Sequence, residues 1–202
     1  RIGASVTQHM LLNSPKVLEH FSLLNRAVSF VGYPATRHRG TVVGSAAHAD
    51  PAAEIPAALL ALDACFEIRG ESKRIIPAES FFVDYYTTAV SHGEMVETIR
   101  VPGLSADIKT CFLEFSRRYH DFPICGVAIK IDASGETLSG VRIALAGAGP
   151  RPMRAKEGEA ILEGEVPSLG LFEAVAERVS EEVEPIGDVH GSAEYRRKIA
   201  RE

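Results

Sequence analysis

The chain has 202 residues, 46% of them hydrophobic, which supplies a sizeable core for one large domain or two small ones. Its 22 basic and 27 acidic residues are interspersed and leave a net charge of −5, which argues against a nucleic-acid or anionic-membrane partner. The longest apolar runs, such as Ala57 to Leu62, are too short to span a bilayer, and no basic segment followed by an apolar one marks a signal peptide.

Arg1 to Val6 reads as the tail end of a strand, and a first residue of Arg rather than Met reads as a processed or excised piece. Thr7 to Asn13 and Pro15 to Phe21 follow as short helices, with Ser14 as a cap and Pro15 at a first helical position. Leu23 to Val31 continues as an apolar helix ending at Gly32. Arg37 to Pro56, RHRGTVVGSAAHADPAAEIP, matches neither a helix nor a strand pattern and reads as a Gly- and Ala-rich loop, with a short helix from Pro56 to Asp63 after it. Cys65 to Arg69 and Arg74 to Ile76 form a strand pair across Gly70-Glu71-Ser72, and Pro77 starts a helical turn through Phe82. Met95 to Val101 alternates as a strand, and Pro102-Gly103 ends it. Three long strands come next, roughly Ile108 to Arg117, Pro123 to Ile131 and Thr137 to Gly147, the last two joined by a Ser134-Gly135 hairpin. Helices at about Arg154 to Leu162, Leu169 to Val183 and Ser192 to Arg201 complete the chain, and Leu171, Val175, Val179 and Val183 make one apolar stripe on the middle one.

The chemistry begins with exclusions. Cys65, Cys111 and Cys125 are an odd, widely spaced set without C-x-x-C, so a reduced, cytoplasmic setting fits and an all-cysteine iron–sulfur cluster does not. Cys111 and Cys125 sit among apolar neighbours and read as buried, inert thiols. There is no G-x-S-x-G elbow and no phosphate loop, and Gly147-Ala148-Gly149 reads as a turn. His38, His48, Asp50 and Glu54 match no standard metal-ligand spacing, so neither a catalytic residue nor a metal site is assigned. What remains in Arg37 to Pro56 is a cradle for a large, flat, polar ligand, as in proteins whose cofactor carries the chemistry. Val42, Val43 and Ala46-Ala47 are expected along a ring face, Thr41, Gly44 and Ser45 as backbone or hydroxyl contacts, and Asp50 and Glu54 as acceptors for sugar or polyol hydroxyls.

The segment TVVGSAAHADPAAEIPAALLALDA resembles the second flavin-binding motif of the medium, FAD-binding subunit of molybdenum hydroxylases, the carbon monoxide dehydrogenase and xanthine dehydrogenase type. The similarity continues through RIIPAESFFVDYYTTAV, EFSRRYHDFPICGVAI and VRIALAGAGPRPMRA to DVHGSAEYRRKIA, in motif order over essentially the whole chain. The resemblance implies an α+β fold. Residues 1–102 would be the C-terminal part of a vanillyl-alcohol-oxidase-type FAD-binding domain, and residues 103–202 a three-stranded antiparallel sheet with a three-helix bundle. It also implies FAD as cofactor, with a molybdenum–pterin large subunit and a [2Fe-2S] small subunit as partners. Electrons would pass from the clusters through the flavin to an external acceptor. A non-catalytic, flavin-poor assembly homologue is the alternative.

By position in the family motif, Thr41, Val42, Val43, Gly44 and Ser45 correspond to the T-I-G-G-D/N/S turn against the flavin, and Glu54 rather than Asp50 is the better acceptor for a ribityl hydroxyl. Val96 corresponds to an apolar residue near the isoalloxazine ring, and Asp121 reads as structural. Phe81-Phe82 and Tyr85-Tyr86 are expected at a partner or acceptor surface, or with one member of each pair in the core. The family's first flavin motif, A-G-G-x-S-L/I, would precede Arg1. Val43 replaces the first glycine of the pair, a strained choice if that position has positive φ, and Leu113-Glu114-Phe115 stands where many relatives carry a lysine.

Overall fold

The computed structural model describes residues 1–202. Its first half packs helices against one antiparallel sheet. Strand β1 (Ile2–Gly3) leads into α1 (Gln8–Leu12), α2 (Pro15–His20), α3 (Ser22–Phe30), α4 (Pro34–Arg39), α5 (Val42–His48) and α6 (Glu54–Ala61). Then come β2 (Cys65–Arg69), β3 (Lys73–Pro77), α7 (Ala78–Phe81), a small ribbon of β4 (Phe82–Asp84) and β5 (Thr87–Thr88), and β6 (Met95–Arg100). The sheet order is β1-β6-β2-β3, all antiparallel. Strict alternation along β6 would put Val96 and Ile99 on opposite faces. A bulge opposite Glu67/Ile68 breaks the register there, and both side chains enter the core.

The second half is a sheet of β7 (Ile108–Ser116), β8 (Pro123–Asp132) and β9 (Ser139–Ala146), with two-residue β10 (Met153–Arg154) added at its edge. The three long strands appear where alternation and turn chemistry put them. Pro150 and Pro152 interrupt the chain only until Met153, so the following helix starts later than its pattern suggests. That helix, α8 (Lys156–Leu162), precedes α9 (Leu169–Glu182) and α10 (Ala193–Arg201). Val175, Val179 and Val183 of the expected stripe are buried against Cys125, Val141, Ile143 and Leu145 of the sheet. Glu159 reaches under that sheet, accepting from the Ile143 N–H at 2.9 Å and from Arg154 Nε at 2.8 Å.

Helix α6 joins the halves. Every residue from Glu54 to Ala61 is buried, which is why its apolar residues show no one-sided stripe. One sheet face lies against it where Ala128, Ala144 and Ala146 keep side chains short, and these join the same core as Leu59, Phe66 and Ile99. Just past the helix, Asp63 takes a left-handed conformation (φ 51°) and accepts from Lys130 Nζ at 2.5 Å and Arg142 Nε at 2.9 Å. Burial pushes the Asp63 carboxyl up, but these two cations outweigh it and hold the group below the ordinary aspartate range.

Two expectations about side chains are corrected. Phe81 and Phe82 are both core residues, packed with Phe66 at ring-centroid distances of 3.6 and 5.8 Å, because the turn at Pro77 aims both inward. Tyr85 and Tyr86 remain exposed. Cys111 is exposed, because it shares with Leu113 and Phe115 the face of edge strand β7 turned away from Phe112 and the main core. Cys125 is buried, and burial pushes its thiol up to about 12. A thiol reagent on the native chain should therefore modify Cys111 quickly and Cys125 only after unfolding, as peptide mapping of the adducts would show.

Candidate functional site

The run from Arg37 to Pro56 is not a loop. It is the end of α4, all of α5 and the start of α6, and its small residues let these short helices pack closely. Thr41 caps α5, its Oγ1 accepting from the Gly44 N–H at 2.9 Å. The cap is anchored from upstream. Thr41 bridges Thr7, the Val42 N–H donates to the Val6 carbonyl at 3.0 Å, and the Gln8 N–H donates to the Gly40 carbonyl at 2.9 Å. Gly44 is small for a local reason: a Cβ there would lie 2.6 Å from Thr41 Oγ1. Gly44→Ala should displace the cap and lower stability by about 1–2 kcal/mol in urea unfolding, whereas Gly103→Ala, in open space, should change little.

The expected strain at Val43 does not arise, since Val43 is an ordinary helical residue and the left-handed position is Ala49 (φ 53°), where α5 ends. The expectation that Val42 and Val43 lie along a ring face is also corrected. Val42 has no accessible surface and Val43 keeps 5%, because they form the inner face of α5 with Ala46. They hold the helix from behind, while Gly44 and Ser45 lie on the more open side. Val96 is buried on β6, against which α5 packs.

Beyond α5 the chain turns at Asp50. Its Oδ1 accepts from the Ala52 N–H at 2.9 Å and its Oδ2 from the Tyr86 hydroxyl at 3.1 Å. Burial, then the Asp50 charge, push the Tyr86 hydroxyl up to about 12, so it donates throughout the physiological range. The Pro51 carbonyl accepts from the Gly147 N–H at 2.8 Å, which ties this turn to the second half of the chain. Asp50 also lines a cavity of about 300 Å³ with Tyr86, Gly147, Asp188 and Arg196.

Glu54 begins α6 in the interior. Burial, opposed by its own backbone N–H and reinforced by Asp50, pushes its carboxyl up to about 7. Glu114 on β7 has both carboxyl oxygens buried and unpartnered, and burial followed by the charge of Glu54 pushes it up to about 8. The structure therefore gathers Asp50, Glu54 and the α5 segment around one junction. It adds Tyr86, which meets Asp50, and Glu114, which feels the charge of Glu54; Gln8, whose Oε1 is buried without a partner, lies instead against Gly40 before the other end of α5. Glu114 stands out in the sequence only as a charge where relatives carry a lysine, Tyr86 only as half of an aromatic pair expected at a surface, and Gln8 gives no signal.

Residues 1–104 match the family model of the FAD binding domain in molybdopterin dehydrogenase, and residues 110–202 match that of the CO dehydrogenase flavoprotein C-terminal domain. The chain belongs to the FAD-binding medium-subunit family of molybdenum hydroxylases. It is 35% identical to the 6-hydroxypseudooxynicotine dehydrogenase complex subunit alpha of Paenarthrobacter nicotinovorans, over 99% of this chain and 68% of that protein. It is 32% identical to the carbon monoxide dehydrogenase medium chain of Hydrogenophaga pseudoflava, over 98% of this chain and 70% of that one. The solved carbon monoxide dehydrogenase of H. pseudoflava that lacks the Mo-pyranopterin moiety superposes with a TM-score of 0.95 at 33% identity, covering 98% of this chain and 69% of that one. Quinoline 2-oxidoreductase from Pseudomonas putida 86 superposes at 0.90 and 30% identity, covering 98% and 70%.

For a medium subunit of this family, the residues present fit FAD. Asp50, Glu54 and Glu114 supply carboxyl acceptors at the junction, which suits a ligand carrying several hydroxyls. The Val42, Gly44 and Ser45 N–H groups are already used inside the fold, so α5 contributes shape more than free backbone donors.

Proposed function

We propose that this chain is the FAD-bearing electron-transfer subunit of a molybdenum hydroxylase. The observation that carries the reading is the fold likeness to the carbon monoxide dehydrogenase chain, which runs through both the α5–α6 junction and the second sheet. When bound, FAD supplies the redox chemistry, and the protein's part is to hold and orient it. Glu54 is assigned to a ribityl hydroxyl and Asp50 to the turn that positions it, with its oxygens already engaged by Ala52 and Tyr86. Thr41, Gly44 and Ser45 shape the surface beside the ring, with Val42, Val43 and Val96 as the packed support beneath. Residues 1–102 form the flavin-facing part and residues 103–202 the C-terminal domain.

The partners in this reading are a molybdenum–pterin large subunit that oxidises the organic substrate and a [2Fe-2S] small subunit that relays its electrons. The flavin passes them to an external acceptor in a cytoplasmic complex. No helix is long and apolar enough to cross a membrane.

The test is spectroscopic. The complex purified with its partners should release FAD on acid precipitation, detected by flavin fluorescence away from the iron–sulfur absorbance, and in the intact complex an added acceptor should reoxidise the chemically reduced flavin. A complex that assembles but releases no flavin would reject the electron-transfer role in favour of an assembly module.

A further inference from the structure

The motif DVHGSAEYRRKIA closes the chain as a turn followed by α10. Asp188 Oδ1 accepts from the His190 and Gly191 N–H groups at 2.8 and 3.2 Å, which fixes the carboxylate before the helix begins. Ser192 caps α10, its Oγ accepting from the Tyr195 N–H at 3.1 Å. Arg196 follows in the first turn of the helix, and its Nη2 donates to both Asp188 oxygens at 2.8 and 2.9 Å. Its Nη1 donates to the Ile124 carbonyl, and its Nε is buried without a partner.

A buried ion pair returns little net stability after its desolvation cost, so stability alone is a poor reason for an arginine that is 4% exposed. Position is a better one. The rigid guanidinium fork holds Asp188 and the start of β8 at once. It also packs directly on the backbone of Gly147, where a Cβ would lie 3.0 Å from Arg196 Nη1. The Gly147 N–H donates to the Pro51 carbonyl at 2.8 Å. Pro51 belongs to the turn that the Ala53 N–H closes on the Asp50 carbonyl at 3.1 Å, and that turn leads straight into Glu54 and α6. Asp50, Pro51, Gly147, Asp188 and Arg196 line one cavity, so the closing motif and the flavin-type motif meet in space. Tyr86 holds the same turn independently through Asp50.

We propose that Arg196, held by Asp188, is a positioning residue for the cofactor turn. It fixes Gly147, whose N–H sets the Pro51 carbonyl and with it the path from Asp50 into α6. This role rests on the FAD reading above, and it makes the C-terminal domain a determinant of flavin binding through a residue that acts on the turn and not on the ligand. Because Tyr86 remains as a second anchor, loss of Arg196 should loosen the turn without abolishing it.

Two variants test this. Asp188→Asn keeps an oxygen for the His190 and Gly191 N–H groups but removes the charge that holds Arg196, and Arg196→Lys keeps a charge but loses the fork. In the ligand-free chain, hydrogen exchange at the Gly147 amide should quicken about tenfold relative to that of Ala128 in central strand β8. In the complex stripped of flavin and titrated with FAD, flavin fluorescence should show about tenfold weaker binding for both variants. Leu162→Ala is the control, since Leu162 lies in the second core and not in this cavity. It should lower global stability, quicken Gly147 and Ala128 together and leave FAD affinity unchanged. If Arg196→Lys does not fold, Asp188→Asn decides, because the Asp188 side chain is 47% exposed. Gly147 exchange that stays unchanged, or that quickens only in step with Ala128, would overturn the role whatever FAD does. Selective quickening with FAD affinity unchanged, or weakened equally in Leu162→Ala, would overturn it while leaving the flavin reading intact. Failure of the wild-type complex to bind FAD would overturn the flavin reading, and this role with it.

Discussion

Gly147→Ala should destabilise the chain by about 3–5 kcal/mol, because strain and steric conflict add at that position. Gly147 has φ 71°, a conformation that disfavours any side chain, and a Cβ there would lie 2.6 Å from the Ile124 carbonyl oxygen and 3.0 Å from Arg196 Nη1. Neither neighbour can move freely. Arg196 is 4% exposed, donates from Nη1 to the Ile124 carbonyl, and is clamped by both Asp188 oxygens at 2.8 and 2.9 Å. Gly164 supplies the control, since its φ is also positive, at 84°, but a Cβ would meet nothing within 4 Å. Gly164→Ala should cost only about 1–2 kcal/mol, the conformational part alone. Urea unfolding of the two variants checks the difference, and equal losses would refute the steric argument. Since the Gly147 N–H also holds the Pro51 carbonyl, the alanine variant should loosen the Asp50 turn and weaken any ligand held there.

Glu54→Gln should stabilise the ligand-free chain by about 3 kcal/mol at pH 8 and change little at pH 4. The folded Glu54 carboxyl sits at about 7 against an ordinary value of 4.5, raised chiefly by burial. A carboxyl raised in the folded state favours folding while it is protonated in both states. That contribution is fully present below the unfolded value and is lost as pH rises through the folded one. The wild-type chain should therefore lose stability between about pH 4.5 and 7, and the loss should continue to about 8 as Glu114 ionises. Glutamine removes the burden of a buried charge. Thermal unfolding across pH 4 to pH 9 tests this, and parallel profiles for wild type and variant would reject it. The direction is opposite to that of Asp63, where Lys130 and Arg142 surround the carboxylate and stability is lost as pH falls through its lowered value.

Glu54 and Glu114 show how the candidate site was only partly legible in the sequence. Glu54 was visible because it lies in a run of distinctive composition, with Pro56 and Ala57 to Ala61 marking a helix beside it. Glu114 is sixty residues further along, an ordinary acid in a strand pattern, and nothing local announces that it comes within range of the Glu54 charge. Tyr86 likewise reaches Asp50 from a separate ribbon. Val43 illustrates the opposite error. The family turn implies strain there only if the position has positive φ, whereas the Thr41 cap makes the segment helical and puts the demand for smallness on Gly44.

The sequence by itself determined the elements whose causes are local. Alternating side chains and the Ser134-Gly135 turn marked the long strands, the i,i+4 stripe marked α9, and ordered motifs along the chain marked the family. Tertiary structure decided what depends on distant partners. Cys111 is exposed because of which face of an edge strand it occupies, and Val96 joins Ile99 in the core through a bulge against β2. Burial and charge at Glu54 and Glu114 depend on everything packed around them, and that sum exists only once α6 lies against the second sheet.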